Sequence, residues 1–310
     1  MNGIVNINKP TGITSFKTVS IVRKIFGVKK AGHTGTLDPL ASGVLPICLE
    51  KATRICQFLT TSNKIYCGRM KLGSRTDTQD AEGKPVEVCE NFSVTEGQIR
   101  SIFSKYVGEI EQLPPMFSAK KVDGKKLYQL ARKGMEVERD HKTVHIYSLD
   151  FLGLEGDEVL FRAETSPGTY IRTLCDAIGE ELGCWAHLKS LVRERVGNMD
   201  IRDAVTLEQL KELKKENRLP EVLRGVMEAL SFYPLVQVNL KTQTDLLRGM
   251  MITKRGITRI ETPFKAKEIL RTAGPGGNLI ALVETLVDSN DYANLADDIP
   301  VMKSKKVFPD

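Results

Sequence analysis

An acid set among glycines is the first place to look for chemistry in this chain. The segment Gly32-His-Thr-Gly-Thr-Leu-Asp-Pro-Leu-Ala-Ser-Gly-Val-Leu-Pro46 carries Asp38 where glycines let backbone approach a ligand closely and a carboxylate can be held in place. By pattern alone Asp38 before Pro39 is an Asx turn. Arg172 falls in the first turn of a helix expected over residues 170–182, where a positive charge opposes the macrodipole and so points to an acidic partner. Tyr66 alternates inward on a strand expected over residues 64–72, which by itself reads as a core tyrosine. His33 shares the loop of Asp38, and Lys9 precedes Pro10 at the end of the first strand.

Regular elements must position these residues. Residues 3–8 read as a short strand, and residues 15–26 as a helix with Phe16, Val19, Val22 and Phe26 at helical spacing before Gly27. Residues 32–42, rich in Gly, Thr, Asp and Pro, are expected to be an irregular surface segment ahead of a strand over 44–49. Residues 96–107 make an amphipathic helix through Ile99, Ile102, Phe103 and Tyr106, and residues 144–151 and 159–165 make neighbouring strands. Ile171, Leu174, Ile178 and Leu182 form the buried stripe of the helix that carries Arg172, with Gly183 as its stop. Thr206 and Gln209 suit a capping box. From Phe232 onward short apolar runs and glycine turns replace helical spacing, and Gly274-Pro-Gly-Gly277 lacks the Lys and Ser or Thr of a phosphate loop, which leaves a tight turn.

At 310 residues the chain suits a catalytic domain over 1–230 and a smaller β-rich one over 231–310. Its formal charge of +6 is modest but clustered, at Arg23, Lys24, Lys29 and Lys30 and again at Lys120, Lys121, Lys125, Lys126, Arg132 and Lys133. Such clusters suit a polyanion as well as a solvated face. The six cysteines include no C-x-x-C pair and no nearby histidine in a zinc-like spacing, so no metal is expected. No apolar stretch is long enough to span a bilayer, and the N-terminus lacks the charged and apolar regions of a secretory leader. A cytoplasmic protein with reduced thiols and no membrane partner is therefore expected.

Taken together, the motifs resemble those of the TruB-type tRNA pseudouridine-55 synthases. Asn8-Lys-Pro10 with Gly12-Ile-Thr-Ser15 is similar to their N-terminal motif, the Asp38 loop followed by Lys51-Ala-Thr-Arg54 to their second, and Tyr66 with Leu72-Gly73 and Thr76-Asp77-Thr78 to their third. Leu113-Pro-Pro-Met-Phe-Ser-Ala119 with Gly124-Lys-Lys-Leu-Tyr128 resembles the insertion that follows, and Gly168-Thr-Tyr-Ile-Arg-Thr173 and Ala186-His-Leu188 complete the set. The resemblance spans about residues 3 to 210 in the family's order.

That resemblance implies an α+β fold: a mixed, mainly antiparallel sheet core of the pseudouridine synthase type with flanking helices and a central cleft, plus a small PUA-like domain at the C-terminus. It implies Asp38 as nucleophile, Arg172 as its salt-bridge partner and Tyr66 as the ring stacked on the target uracil. Leu191 would line the base pocket, with His33, Thr36, Tyr170 and Lys9 around the substrate, His33 in space vacated by flipped nucleotides and Lys9 supporting the loop rather than reacting. Isomerisation of uridine breaks the C1′–N1 bond, turns the uracil and joins C1′ to C5, so no cofactor is called for. An adjacent guanidinium is expected to lower the Asp38 pKa by roughly 1 to 3 units and keep it charged. The partner implied is tRNA, held by its T arm at the basic insertion of residues 113–138 and by its acceptor end at the C-terminal domain, on a monomeric enzyme. A non-catalytic tRNA-binding protein or RNA chaperone is the alternative reading, while a carboxylate phosphotransferase lacks a phosphate loop or further metal-binding acids beside Asp38. Two departures from the family pattern stand out: Glu50 in place of a glycine, which puts the local turn in question, and a less basic Ser190-Leu-Val-Arg193.

Overall fold

The computed structural model describes residues 1–118, 120–122, 124–131 and 133–308, and the side chains of all of these except 121, 122 and 126. Ala119 and Arg132, and the side chains of Lys121 and Lys126, all named above, therefore lie outside the described residues. The chain divides into two units, Met1–Leu223 and Arg224–Asp310.

In the first unit the strands are β1 (Gly3–Lys9), β2 (Ala31–His33), β3 (Ser42–Leu49), β4 (Lys64–Leu72), β5 (Gly108–Gln112), β6 (Lys142–Glu155), β7 (Glu158–Thr165) and β8 (Ala186–Val196). They lie side by side in the order β1–β3–β8–β4–β7–β6–β5, with β2 paired on β3. Every pairing in that series is antiparallel except β3 with β8, which run parallel through Ser42–Val192 and Gly43–Arg193. The sheet is thus mixed and mainly antiparallel, as expected. At the β3–β8 crossing a Cβ on Gly43 would lie 2.3 Å from the Arg193 carbonyl oxygen, and Gly43 has φ +101°, so only glycine permits so close a passage.

Helices α1 (Ser15–Phe26), α2 (Glu96–Lys105), α3 (Ile171–Glu181) and α4 (Leu207–Lys215) flank the sheet. The Thr14 hydroxyl caps α1 by accepting from the Lys17 amide, and left-handed Gly27 ends it; α4 opens on the Thr206–Gln209 capping box. One apolar core joins Val5, Leu45, Met70, Phe103, Phe161 and Ile178 across these elements.

The expected apolar stripe of α1 needs one correction, because Phe16 is 78% exposed. The buried face instead takes in Ser15 and Thr18 beside Val19, Val22, Ile25 and Phe26. Those two hydroxyls are tolerated inside because Ser15 donates to the Leu37 carbonyl and accepts from the Leu37 amide, and Thr18 donates to the Thr14 carbonyl.

The second unit is β-rich. Strands β9 (Leu235–Val238), β10 (Ile252–Thr253), β11 (Ile257–Ile260), β12 (Ile269–Ala273), β13 (Leu279–Thr285) and β14 (Pro300–Val307) form a sheet in the order β10–β14–β13–β12–β9–β11. Val236, Leu246, Leu270, Val283 and Val301 share its core. Between β12 and β13 the Gly277 amide donates to the Gly274 carbonyl at 3.0 Å, the tight turn expected there. Among the described residues no helix is long and apolar enough to cross a membrane.

Candidate active site

Asp38 leaves the backbone in the connection from β2 to β3. Its carbonyl accepts from the Ala41 amide at 3.1 Å, so Pro39 occupies the second position of a β-turn, which suits its fixed φ. The connection is fastened on both sides. Ser15 grips the amide and carbonyl of Leu37, the Gly12 amide donates to the Pro39 carbonyl at 2.9 Å, and the Arg193 guanidinium donates to the carbonyls of Gly35 and Thr36. The side chain lines two cavities, and 42% of its surface is open to them.

Arg172, at the second position of α3, supplies the acidic partnership that its place in the helix pointed to. Its Nε lies 3.0 Å from Asp38 Oδ2 and its Nη1 lies 3.2 Å from Asp80 Oδ2, so one guanidinium bridges two carboxylates. The same group also donates to the carbonyls of Thr78 (3.0 Å) and Phe117 (2.8 Å). With 6% of its side chain exposed, Arg172 is a fixed donor rather than a surface ion pair.

Electrostatics here differ from the expectation for a simple ion pair. Burial pushes the Asp38 carboxyl above the ordinary value of 3.8; Arg172 pulls it back, Asp80 adds to the rise, and Lys9 and Arg193 pull weakly downward. The guanidinium was expected to lower the carboxyl's pKa despite desolvation, but the crowding of the carboxyl by protein outweighs it.

Two cavities meet at Asp38. The smaller, about 260 Å³, is walled by Tyr66, Leu191, Tyr170, Lys64, Asp38 and Arg172. The larger, about 620 Å³, is lined by His33, Phe16, Asp80, Glu82, Tyr128 and again Asp38 and Arg172, and Thr36 borders both. Tyr66 projects from the middle of β4, paired with Ala163 on one side and Arg193 on the other, and borders the smaller cavity together with Arg193. Leu191 stands opposite Gly68 on β8, and Tyr170 caps the start of α3 with its amide donating to Gln112 Oε1 at 2.9 Å. The Gly35 amide donates to His33 Nδ1 at 3.2 Å.

Lys9 stands apart. It is fully buried, its ammonium donates to the carbonyls of Pro10 and Ile13 at 2.8 Å, and burial brings its pKa down to about 8. It lines neither cavity.

Three residues of this site were not singled out from the sequence. Asp80 follows the Thr76-Asp77-Thr78 motif, but nothing in a single sequence separates it from Asp77. Lys64 lines the smaller cavity, donates to the carbonyls of Thr60 and Ser62, and has its pKa lowered to about 7 by burial. Arg193 is 1% exposed, and its place opposite Tyr66 on β8 was the available signal. Glu50, standing where a glycine was expected, does adopt a left-handed φ of +51°, and its carboxylate accepts from the amides of Lys29 and Lys30. Those two bonds offset the strain of a side chain in that conformation.

Comparison with known proteins decides the family. Residues 23–171 match the model of the TruB family pseudouridylate synthase N-terminal domain, and residues 172–231 match that of the tRNA pseudouridylate synthase B C-terminal domain. The chain belongs to the TruB family of pseudouridylate synthases. It is 45% identical to the tRNA pseudouridine synthase B of Syntrophotalea carbinolica over 279 residues, 90% of each chain. It is 46% identical to that of Clostridium acetobutylicum over 82% of this chain and 86% of the relative. Among solved structures, a chain of a Cbf5–Nop10–Gar1 complex superposes with a TM-score of 0.80 at 29% identity, covering 99% of this chain and 85% of that one. Membership makes the chain an isomerase of the pseudouridine synthase class, and the pseudouridine synthase fold expected from the motifs is the fold observed.

Proposed function

We propose that this TruB-family enzyme isomerises uridine 55 in the T loop of tRNA to pseudouridine, with Asp38 as nucleophile. The observation that carries the reading is the Arg172 guanidinium held between Asp38 and Asp80 where the two cavities meet. The curated relatives are named tRNA pseudouridine synthase B, which supports tRNA as the substrate.

The reaction keeps every atom of the nucleoside: C1′–N1 breaks, C1′–C5 forms, the C5 proton leaves and N1 gains one. Asp38 can serve it by attack on the sugar or on the base, or by first assisting removal of a C2′ proton. In each case the ionised form is required, and Arg172 favours that form. The smaller cavity offers the Tyr66 ring and the Leu191 side chain as apolar walls for an extruded uracil. Extrusion costs a few kcal/mol, offset by stacking and phosphate contacts.

The insertion over residues 113–138 begins at the site, since Phe117 accepts from Arg172 and Ser118 borders both cavities. Its exposed Lys125 and Lys133 suit the phosphates of a T arm. We read the β-rich second unit as a PUA-like module for the acceptor end. A monomer suffices, because one chain supplies every group named.

Tritium release from a T-arm stem-loop labelled at uridine C5 tests the reading. Native protein should release tritium, and Asp38→Asn should bind the RNA without release. Binding without release by either protein would turn the reading to a tRNA-binding protein.

A further inference from the structure

Arg193 is a buried cation without an anion. It is 1% exposed, and no ion pair joins it to a carboxylate among the described residues. Taking a guanidinium out of water is costly unless its donors are satisfied, so the partners it does have define what it is for. Its Nε donates to the Val44 carbonyl at 2.8 Å, Nη2 to Gly35 at 3.1 Å and Nη1 to Thr36 at 3.3 Å. Across the β8–β4 pairing it stands opposite Tyr66, which shares the wall of the smaller cavity with it.

These neighbours lie in three segments. Gly35 and Thr36 lie in the connection that carries Asp38, three and two residues before it, and Val44 lies in β3 just beyond it. Tyr66 lies in β4. The planar fork of a guanidinium rooted beside Tyr66 can hold the connection and β3 at fixed angles; a lysine ammonium at the same place lacks that geometry. We infer that Arg193 is the positioning residue that fixes the backbone carrying Asp38 relative to the Tyr66 ring, and so sets where the target base sits against the carboxylate.

The surrounding structure is shaped to admit it. Gly43, directly opposite Arg193 across the parallel β3–β8 crossing, leaves no room for a side chain, and Gly35 has φ +147° with its absent Cβ pointing 3.7 Å from Arg193 Nη1. Arg193 also borders the smaller cavity, and its charge pulls the Asp38 carboxyl downward. Purely structural anchoring of β8 would not need the carbonyls of the Asp38 connection.

The inference rests on the reading of Asp38 as nucleophile, so the test includes Asp38→Asn beside Arg193→Lys and Arg193→Met. Single-turnover conversion of the T-arm stem-loop, RNA affinity, thermal melting and the pH–rate profile are measured for each. A displacement of about 1 Å between reacting groups costs on the order of 100-fold in rate, and that fall is expected at saturating RNA for both Arg193 variants, with RNA affinity unchanged. In Arg193→Met the acid limb should also move to higher pH, because a charge that favours ionised Asp38 is gone; in Arg193→Lys it should stay.

A native-like rate in either folded variant overturns the inference, as does a loss of rate explained by weaker RNA binding, or by unfolding of Arg193→Lys at the assay temperature. If Arg193→Met does not fold, Arg193→Lys decides alone. Conversion by Asp38→Asn would instead overturn the reading of the nucleophile, whatever the Arg193 variants do.

Discussion

Replacing Asp38 with Asn should make the folded protein more stable near neutral pH while removing its chemistry. The two side chains are nearly isosteric, so the substitution compares an ionisable group with a permanently neutral one. Burial raises the Asp38 carboxyl above 3.8, and the neighbouring cations reverse this only in part. A carboxyl raised in this way holds its proton more tightly when folded. Its contribution therefore favours folding below the unfolded-state pKa and is lost as pH climbs through the folded value. Above the folded value the native protein carries a charge that destabilises it and that Asn lacks. Fully felt, each unit of upward shift is worth about 1.4 kcal/mol. Here 42% of the side chain is open, so solvent screening holds the gain to at most about 1 kcal/mol, the upper end for exposed charges. That corresponds to roughly 2–4 °C in Tm for a domain of this size. Arg172 keeps Asp80 at 3.2 Å after the substitution, so no buried cation is orphaned. Melting curves without RNA, from about pH 4 to about pH 8, should show the gap widest at the alkaline end and closing toward acid. A variant that melts below the native protein at neutral pH, or a gap that ignores pH, would refute the reasoning.

Asp80→Asn removes a like charge from the neighbourhood of Asp38 and one of the two acids that Arg172 bridges. The acid limb of the single-turnover rate should move to lower pH while the plateau falls by about tenfold or more, some 1.4 kcal/mol of barrier; an unmoved limb would sink the coupling. Gly43→Ala places a methyl 2.3 Å from the Arg193 carbonyl oxygen at φ +101°, so denaturant unfolding should register a loss of at least about 2 kcal/mol, and a tolerated alanine would contradict the β3–β8 crossing. Lys125→Ala, at an exposed position of the insertion, should flatten the dependence of log affinity on log salt by roughly 0.7 to 0.9 for T-arm RNA, and an unchanged slope would remove that lysine from the phosphate contacts.

What the sequence made legible was set by how local each cause is. Helix α1 announced itself through spacing, but the phase of its buried face did not. Spacing counts apolar residues, whereas Ser15 and Thr18 go inside because their hydroxyls find partners in Leu37 and Thr14, and that rotation carries Phe16 out. Asp38, Arg172, Tyr66 and Leu191 were legible through motifs, and the structure places all four on the wall of one cavity. Asp80 was not, since its distinction from Asp77 is a contact with a helix that begins some 90 residues later. The direction of the Asp38 pKa was missed for the same reason: an ion pair is suggested by two residue types, while burial is a property of everything around them.

The two buried arginines separate the demands of this site. Arg172 is matched by two carboxylates, so moving it alters charge first, and the acid limb of activity reports it. Arg193 is matched by carbonyls, so moving it alters geometry first. Asp38 and Tyr66 hang from different elements, an irregular connection and a central strand, and the sheet alone constrains only the second. A loop that must present an acid to a ring on another strand needs a tie that spans both. Backbone hydrogen bonds of the sheet cannot supply that tie to residues 35–36, which lie outside the strands, whereas a guanidinium fork rooted in β8 reaches them directly.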